Sequence, residues 1–246
     1  MRSEPTLVSG LLVGERASAR ALPAAVFFDM DGLLVDSEPV WTVAEVELAT
    51  RLGGVFTAEL KAAVVGTRLQ VAVPTILDWY GAPAGPADVA RTSAWLLERM
   101  VALFGGSALP LLPGAAELLA ALRAAGVPVA LVSSSYRVLV DAVLAHGVGP
   151  FDLTIAGDEV THGKPHPEPY LLAARRLGVD PRDCVVLEDS PAGIAAGHAA
   201  GCAVVAVPSV PGVVILPSAR RLVVGSLVGI DLAGLSRLSG GIGPAR

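Results

Sequence analysis

Short runs of apolar residues alternate along this chain with longer amphipathic or alanine-rich stretches. This order is typical of an α/β domain, because helices that cover both faces of a parallel sheet leave its strands apolar throughout. The apolar runs predict strands at Ala25–Phe28, Val127–Val132, Leu153–Ala156, Val185–Leu187, Val204–Val207 and Leu222–Val224. Because none of these runs alternates strictly between apolar and polar residues, we expect a buried, parallel sheet.

Proline, glycine and serine mark the ends of several predicted helices. The stretch "PGAAELLAALRAAG" begins at Pro113 and ends at Gly126. The stretch "SPAGIAAGHAAG" begins with Ser190, which suits the N-cap position, and Pro191, which suits the first turn. These signals predict one helix directly before the second predicted strand and another directly after the fourth, in the usual α/β order.

About ninety residues separate the first two predicted strands, which is far more than one crossover helix requires. Pro74 and two glycine-containing loops interrupt this segment. Its pattern predicts four helices, at Val40–Leu52, Ala58–Val64, Val71–Tyr80 and Pro86–Phe104. We therefore expect a helical domain inserted after the first strand, with 39–110 as the insertion, 23–38 and 111–246 as the α/β core, and 1–22 as a loosely anchored tail.

Composition excludes several classes of protein. Hydrophobic residues make up 53% of the 246 residues, so a large core is easily filled. No apolar run approaches the roughly 18–20 residues that a membrane span needs, and the early arginines follow the first apolar patch, unlike those of a signal peptide. The net charge of −5 and the absence of a basic stripe argue against a nucleic-acid partner.

The cysteines and lysines carry further information. Cys184 and Cys202 lie in apolar surroundings without a CxxC pattern, so we expect buried thiols in a reducing cytoplasm. Only Lys61 and Lys164 are lysines among the 18 basic residues. Since an ammonium is a compact point charge that the flat guanidinium cannot replace everywhere, a lysine retained in such a chain invites a specific explanation.

Polar residues follow the predicted strands at the points where the strands end. They are Asp29 and Asp31, then Ser133, Ser134 and Ser135, then Lys164 in "GKPHPEPY", and finally Glu188 and Asp189. The carboxyl ends of parallel strands meet at one edge of the sheet, where α/β proteins bind their ligands. The pattern therefore predicts a site that gathers acids, hydroxyl groups and one lysine.

The spacing of Asp29 and Asp31 indicates the chemistry of this site. Residues i and i+2 of an extended segment point the same way, roughly 6–7 Å apart, so one carboxylate can attack a group that the other protonates. With Asp189 beside Asp29, the acids form a hard oxygen site suited to Mg²⁺, which offsets their repulsion. Ser133 and Lys164 can hold phosphate oxygens, and the predicted reaction is phosphoryl transfer through an aspartyl-phosphate.

Four stretches follow one another along the chain: "DMDGLLVDSE", the apolar run that ends at Ser133, "GKPHPEPY" and "VVLEDSPAGIAAGHAAG". In this order they resemble the motifs of the haloacid dehalogenase superfamily of phosphotransferases. The resemblance spans about residues 25–225 and implies a Rossmann-like α/β core with an inserted helical cap that selects the substrate. It implies a phosphatase and not a dehalogenase, because dehalogenases lack the second aspartate of the first motif.

The resemblance also implies a role for each matching residue. Asp29 becomes the nucleophile and Asp31 the acid/base. Mg²⁺ is held by Asp29, by the backbone carbonyl of Asp31 and by Asp189, while Glu188 orients the metal shell or joins it. The phosphate is bound by Ser133, Ser134 and Lys164.

Within the superfamily, "DMDGLLVDSEPVW" is similar to the sugar- and polyol-phosphate phosphatases related to β-phosphoglucomutase. The mutases carry a histidine where this chain has Trp41, which argues against a phosphomutase, and Lys61 lies too far along the chain to match the lysine of phosphonate-cleaving relatives. A receiver-type signalling module is the alternative from another class, although it is about half this length. We expect a small phosphorylated metabolite as substrate, and a monomer or a dimer.

For residues at the edges of the motifs, the sequence leaves two alternative roles open. Asp36 and Ser37 are expected to cap the helix that follows, with a role at the hinge as the alternative. Glu38 and Arg68 are predicted to contact substrate, although an exposed arginine is commonly only solvated. Trp41 either packs in the core or lines the pocket.

Two further expectations concern serine and histidine. Ser135 is predicted to cap a helix over Tyr136–His146. The four histidines (His146, His162, His166 and His198) show no metal-ligand spacing in the sequence, so none is given a role.

Overall fold

The computed structural model describes residues 22–65, 67–106, 109–209 and 214–240. Apart from residue 22, the tail expected at 1–22 lies outside these ranges.

Six parallel strands form one sheet in the order β3-β2-β1-β4-β5-β6. The strands are β1 (Ala25–Phe28), β2 (Val129–Val132), β3 (Leu153–Ile155), β4 (Cys184–Glu188), β5 (Ala203–Ala206) and β6 (Arg221–Val223). The prediction of a parallel sheet is confirmed, and each predicted strand is present within about two residues of its predicted ends. Because β1 lies between β2 and β4, the residues that follow these three strands are neighbours.

The two faces of β1 belong to two separate halves of the core. Val26 and Phe28 pack on one face of the sheet with apolar side chains of the helices on that side. Ala25 and Phe27 point to the other face, where Phe27 stacks against Tyr170 with ring centroids 6.2 Å apart. All four residues of β1 are buried, which explains why the strand reads as a continuous apolar run.

Five described helices lie between β1 and β2, and the first four of them form the inserted helical cap. They are α1 (Glu38–Arg51), α2 (Ala58–Val64), α3 (Leu69–Trp79) and α4 (Pro86–Gly106). The bounds of α2 are those predicted, and the other three begin or end within two residues of prediction. The helices of the core are α5 (Ala115–Ala124), α6 (Arg137–Leu144), α7 (Glu168–Leu177), α8 (Pro191–Ala199) and α9 (Leu232–Ser239).

Pro74 does not interrupt the insertion, contrary to the sequence-based expectation, because it lies inside α3. A proline removes the hydrogen bond to the carbonyl four residues earlier. Here that carbonyl belongs to Gln70, an exposed residue in the first turn of the helix, where water can replace the lost donor. The helix therefore continues past Pro74 to Trp79.

The insertion leaves and rejoins the core at a single point. The backbone N–H of Asp36 donates to the carbonyl of Pro110 at 3.1 Å, and the N–H of Leu112 donates to the carbonyl of Leu34 at 3.0 Å. Val35 and Leu111 form an antiparallel bridge between these two bonds. The outgoing and returning segments thus run side by side as a two-stranded hinge.

The predicted start of α8 is confirmed. The hydroxyl of Ser190 accepts a hydrogen bond of 3.0 Å from the N–H of Gly193, and Pro191 occupies the first turn. Cys184 and Cys202 are buried free thiols, as expected, and burial raises the pKa of Cys184 to about 12. Among the described helices, none combines the length and apolarity that crossing a membrane requires.

Candidate active site

The ammonium group of Lys164 lies buried between two carboxylates. Its Nζ donates to Oδ1 of Asp29 at 2.5 Å and to Oε1 of Glu188 at 2.6 Å. A third bond, of 2.9 Å, goes to the backbone carbonyl of Val132 at the end of β2. All three donors of the ammonium are used, which is the condition under which a buried lysine remains charged.

Glu188 is completely buried and accepts five hydrogen bonds. Oε1 accepts from Lys164 and, at 2.8 Å, from the hydroxyl of Tyr170. Oε2 accepts from the backbone N–H and the hydroxyl of Ser190 and from the N–H of Asp189. Gly193 makes room for this carboxylate, since a Cβ atom at that position would overlap it. These contacts fix Glu188 between β4, α7 and α8.

Asp189 completes the buried acidic group. Its Oδ2 accepts a short hydrogen bond from the hydroxyl of Ser209, and a Cβ atom on Gly32 would collide with the same oxygen. Gly32 also has a φ of 81°, a conformation that glycine adopts without strain. The turn after Asp31 therefore requires glycine both for its backbone conformation and for the close approach of Asp189.

The electrostatics of this cluster are unfavourable without a further cation. Burial raises the pKa of Asp29 well above its usual range; Glu188 and Asp189 raise it further, although Lys164 opposes the shift. Burial and the charge of Glu188 raise the pKa of Asp189 to about 7. Burial alone would lower the pKa of Lys164, but Asp29 and Glu188 hold it above its ordinary value. Three carboxylates face one ammonium, so the cluster carries excess negative charge when all ionise.

A divalent cation fits this arrangement. Asp29, Glu188 and Asp189 each offer a carboxylate oxygen within 4.8 Å of the others. Oxygen ligands and concentrated negative charge suit Mg²⁺, whose charge would oppose the burial and the carboxylate repulsion that together raise the two aspartate pKa values. Because Glu188 already accepts five hydrogen bonds, Asp29 and Asp189 are the carboxylates better able to turn towards an ion, with Glu188 behind them.

Asp31 lies apart from this group and is held by three hydroxyl groups. Oδ1 accepts a bond of 2.5 Å from Ser37, and Oδ2 accepts bonds of 2.8 Å from Ser135 and 3.4 Å from Ser133. The expected helix caps are wrong in two cases. Ser37 precedes α1 but makes no side-chain cap bond, and Tyr136, not Ser135, occupies the N-cap position of α6.

A cavity of about 550 Å³ opens over these residues between the cap and the core. The core side of its lining includes Asp29, Asp31, Lys164 and Asp189 together with the exposed Ser134. Ser133 is only 2% exposed; its hydroxyl accepts a 2.9 Å bond from the N–H of Ser135. Asp29, Asp31, Lys164, Asp189 and Ser134 therefore line one opening, whereas Ser133 and Glu188 are buried and do not line it.

The cap contributes the opposite wall of the cavity. Glu38, Trp41 and Glu45 share one face of α1 and line it, so Trp41 faces the pocket. Glu38 pairs with Lys61, which also bonds Oε2 of the buried Glu45 at 2.7 Å. This wall combines an aromatic ring with two carboxylates.

Arg68 reaches from the cap to the core. Its Nη2 donates to the carbonyl of Gly157 at 3.2 Å, while its buried Nε has no hydrogen-bond partner among the described residues. The guanidinium lies on the lining of the cavity. Arg68 is thus neither a purely solvated side chain nor fully satisfied by the protein.

Three residues donate hydrogen bonds to acids of the site, and the sequence analysis predicts none of these bonds. Tyr170 was quoted within "GKPHPEPY", but the partner of its hydroxyl, Glu188, lies 18 residues away. Ser209 and Ser37 bond acids that are distant along the chain. A serine directly before a helix has the same sequence signal whether it caps the helix or bonds a remote carboxylate, so spacing alone could not separate the two.

Comparison with known proteins places this geometry in a family. Residues 23–201 match the family model described as haloacid dehalogenase-like hydrolase. The chain belongs to this family. Hexitol phosphatase B of Escherichia coli strain K12 is 35% identical over 193 residues, which is 75% of this chain and 83% of that protein.

Two further similar proteins show the breadth of the match. A bifunctional riboflavin kinase/FMN phosphatase from Arabidopsis thaliana is 33% identical over 87% of this chain, which spans only 56% of that protein. The crystal structure of CbbY from Rhodobacter sphaeroides in complex with phosphate superposes with a TM-score of 0.78 at 29% identity, covering 87% of this chain and 99% of that one. With named phosphatases among such relatives, the chain is a phosphatase of this family.

Proposed function

We propose that this chain is a Mg²⁺-dependent phosphatase that hydrolyses small sugar- or polyol-phosphate monoesters through an aspartyl-phosphate on Asp29. One observation carries the proposal. The buried Asp29 carboxylate touches Lys164, shares a possible metal site with Asp189, and lies on the lining of a cavity that the cap closes on its far side.

Asp29 is the proposed nucleophile. One of its oxygens is held by Lys164 at 2.5 Å, which orients the carboxylate and leaves the second oxygen to attack phosphorus. The new bond joins that oxygen to the phosphorus atom as the ester P–O bond breaks. The electron pair of the broken bond leaves with the alcohol oxygen.

Asp31 is the proposed acid/base. It donates a proton to the departing alcohol oxygen, and then accepts a proton from the water that attacks the phosphorus of the aspartyl-phosphate. The second step releases inorganic phosphate and restores Asp29. Ser37, Ser133 and Ser135 hold the carboxylate of Asp31 between these events.

Lys164, Ser133 and Ser134 are the proposed phosphate ligands. The ammonium of Lys164 balances charge that develops on the phosphoryl oxygens as Asp29 attacks. Ser134 is exposed to the cavity and can donate to a phosphate oxygen directly. The buried Ser133 reaches substrate only if its bond to Asp31 is exchanged, so its first function is to position Asp31.

Asp29, Asp189 and the backbone carbonyl of Asp31 would hold Mg²⁺, with Glu188 orienting them from behind. When bound, the ion supplies positive charge that lets an anionic carboxylate approach an anionic phosphate. The raised pKa values of Asp29 and Asp189 support this assignment, because both acids lack sufficient positive charge from the protein alone.

The cap wall supports a hydroxyl-rich leaving group. Carboxylates such as Glu45 and Glu38 accept hydrogen bonds from hydroxyl groups, and the ring of Trp41 offers an apolar face to the C–H groups of a sugar or polyol. Arg68 lies on the same lining and adds guanidinium donors. The named activity of the hexitol phosphatase relative fits the same class of substrate.

A phosphomutase remains the less favoured alternative. Trp41 lines the cavity at the position where the mutases of the resembling group carry a histidine. The indole offers no second basic nitrogen for aligning an acid/base with a returning phosphate, so transfer to water is favoured over transfer to a second substrate. Membership in a family of hydrolases argues against the receiver-type alternative.

Phosphate release from a panel of substrates tests the proposal. The panel contains hexitol phosphates, other sugar and polyol phosphates, nucleotides and FMN, each with Mg²⁺ and with a chelator. We expect turnover that requires Mg²⁺ and is fastest for a polyol or sugar phosphate. Metal-independent turnover, or a clear preference for nucleotides or FMN, would contradict the respective part of the proposal.

A further inference from the structure

Two histidines and a glutamate meet on the surface beside the lysine of the active site. Nδ1 of His162 lies 2.9 Å from Oε2 of Glu168, and Nδ1 of His166 lies 4.0 Å from the same oxygen. The two imidazole rings have centroids 4.7 Å apart and are tilted by 38°. One ligand atom from each of the three residues lies within 4.8 Å of the others.

These separations suit a tetrahedral metal ion. In a site with bonds of about 2.0–2.1 Å, neighbouring ligand atoms are roughly 3.3–3.5 Å apart. The two separations from Glu168 lie on either side of this value. Both rings are exposed, so small side-chain rotations can bring the ligand atoms to the required spacing without disturbing the core.

The backbone already holds the carboxylate in place. Oε1 of Glu168 accepts from the N–H of Thr161 at 2.8 Å, and Oε2 accepts from the N–H of His162 at 2.9 Å. The N–H of Glu168 donates to Nδ1 of His166 at 3.2 Å, a bond that this exposed ring gives up when it turns to bind an ion. The carboxylate of Glu168 is thus held by two backbone donors before an ion binds.

We propose that His162, His166 and Glu168 form a binding site for a divalent transition metal ion of the zinc class. Two imidazoles and one carboxylate are ligands that such ions prefer, whereas Mg²⁺ prefers oxygen ligands alone. The proposal does not depend on the proposed phosphatase mechanism, because none of the three residues belongs to the buried acidic cluster.

The position of the site suggests a structural role. His162 and His166 lie two residues before and two residues after Lys164. An ion bound by both histidines closes the segment that carries the lysine into a short ring fastened to α7. Because the ion binds the folded chain and not the extended one, its binding stabilises the fold and the position of this segment.

Zinc titration of the full-length chain by calorimetry tests the site. Excess Mg²⁺ is present throughout, so that the acidic cluster around Asp189 is occupied by its preferred ion. We expect one Zn²⁺ per chain and a rise in the thermal midpoint when zinc is added. His162→Ala and His166→Ala should each weaken zinc binding by at least about tenfold and abolish the rise.

Two matched variants identify the source of any zinc signal. His198→Ala removes an exposed histidine from α8 and should leave zinc binding unchanged. Asp189→Asn disrupts the buried acidic cluster and should still bind zinc at the proposed surface site. His162→Gln is a second variant at the first ligand, and circular dichroism establishes that each variant is folded.

Either of two results would overturn the proposal. The wild-type chain could bind no zinc in excess Mg²⁺. Alternatively, the histidine variants could fold and bind zinc as the wild type does, whatever Asp189→Asn binds; these variants are His162→Ala, His162→Gln and His166→Ala.

Discussion

The hydroxyl of Ser37 donates a hydrogen bond of 2.5 Å to Oδ1 of Asp31. Ser37 is the last residue before α1, so the proposed acid/base is bonded directly to the point where the cap begins. Ser135 of the core bonds the other carboxylate oxygen. Asp31 is therefore held from the cap and from the core at once.

Ser37→Ala should lower kcat by about tenfold to a hundredfold, since a hydrogen bond to a charged group contributes roughly 1.5–3 kcal/mol. The affinity for Mg²⁺ should change little, because the proposed metal site uses only the backbone carbonyl of Asp31. Steady-state kinetics and metal titration measure the two effects. Thr42→Ala, which removes a hydroxyl bonded only to the helix backbone, is the matched control. An unchanged kcat in Ser37→Ala would show that this bond has no part in turnover.

Asp29→Asn should reduce turnover at least about a thousandfold while the chain remains folded. The amide cannot form the phosphoryl-enzyme, and the loss of a buried charge is tolerated because burial already raises the pKa of Asp29. Phosphate release and mass spectrometry of trapped intermediate measure the change. Asp78→Asn, an exposed position on α3, serves as control. Wild-type rates in Asp29→Asn would refute its role as nucleophile.

Binding of Mg²⁺ should weaken as the pH falls below 7. Burial and Glu188 raise the pKa of Asp189 to about 7 in the metal-free chain, so below this pH a proton occupies a carboxylate that the metal needs. Competition by one proton costs about tenfold in apparent affinity for each further pH unit. Calorimetry from pH 6 to 8 measures the slope and the protons released. A flat profile would show that Asp189 is already ionised without metal.

The raised pKa of Asp189 also changes how the stability of the metal-free chain depends on pH, in the direction opposite to that of an aspartate whose pKa is lowered by folding. Because the folded metal-free chain retains its proton up to higher pH than the unfolded chain, Asp189 makes stability fall as the pH rises from about 4 to 7. Added Mg²⁺ should remove this part of the pH dependence. Urea unfolding with and without Mg²⁺ at several pH values measures the difference, and identical curves would contradict the assignment.

Lys164→Arg should be damaging although the charge is kept. The ammonium fits between Asp29, Glu188 and the carbonyl of Val132, and a larger planar guanidinium cannot bond all three in that buried space. We expect a fall in kcat of a hundredfold or more and a loss of about 3–5 kcal/mol of stability if the pairs break. Lys61→Arg replaces the other lysine, which is less buried, and should cost little. Equal effects in both variants would argue against a special role for Lys164.

Tyr170→Phe should cost about 1–3 kcal/mol of unfolding free energy, because it leaves buried Oε1 of Glu188 with Lys164 alone. The stacking with Phe27 is retained in this variant. Tyr80→Phe, whose hydroxyl bonds the exposed backbone carbonyl of Val55, should cost much less. Urea denaturation compares the two. A similar small cost in both would mean that Glu188 does not need the phenol.

Much of the fold follows from local patterns. β1 and α2 have the predicted bounds because sharp changes in polarity mark their ends: Asp29 directly follows Phe28, and Thr57 caps α2 through the N–H of Leu60. The first helix begins at Glu38, two residues earlier than predicted. Pro39 lies inside its first turn, where a proline is tolerated, and not before the helix.

The site was predictable only as far as strand ends determine it. Asp29, Lys164 and Asp189 were recognised because each follows a strand or loop at one edge of the sheet. The serine hydroxyl groups that donate to Asp31 could not be predicted in this way, because these bonds join residues up to 104 positions apart. His162 and His166 are separated by three residues, a spacing that zinc-binding histidines can have, but their proximity to each other and to Glu168 depends on the turn before α7, which the spacing alone does not determine.

The two-stranded hinge at Val35 and Leu111 has a practical consequence. Because the chain enters and leaves the helical insertion at adjacent positions, α1 to α4 can be exchanged for the equivalent segment of a relative with only two splice points to join. Such a chimera would keep Asp29, Lys164 and Asp189 on the host sheet while acquiring the donor's leaving-group pocket. Swapping this module between paralogues offers a direct route to transplanting substrate preference.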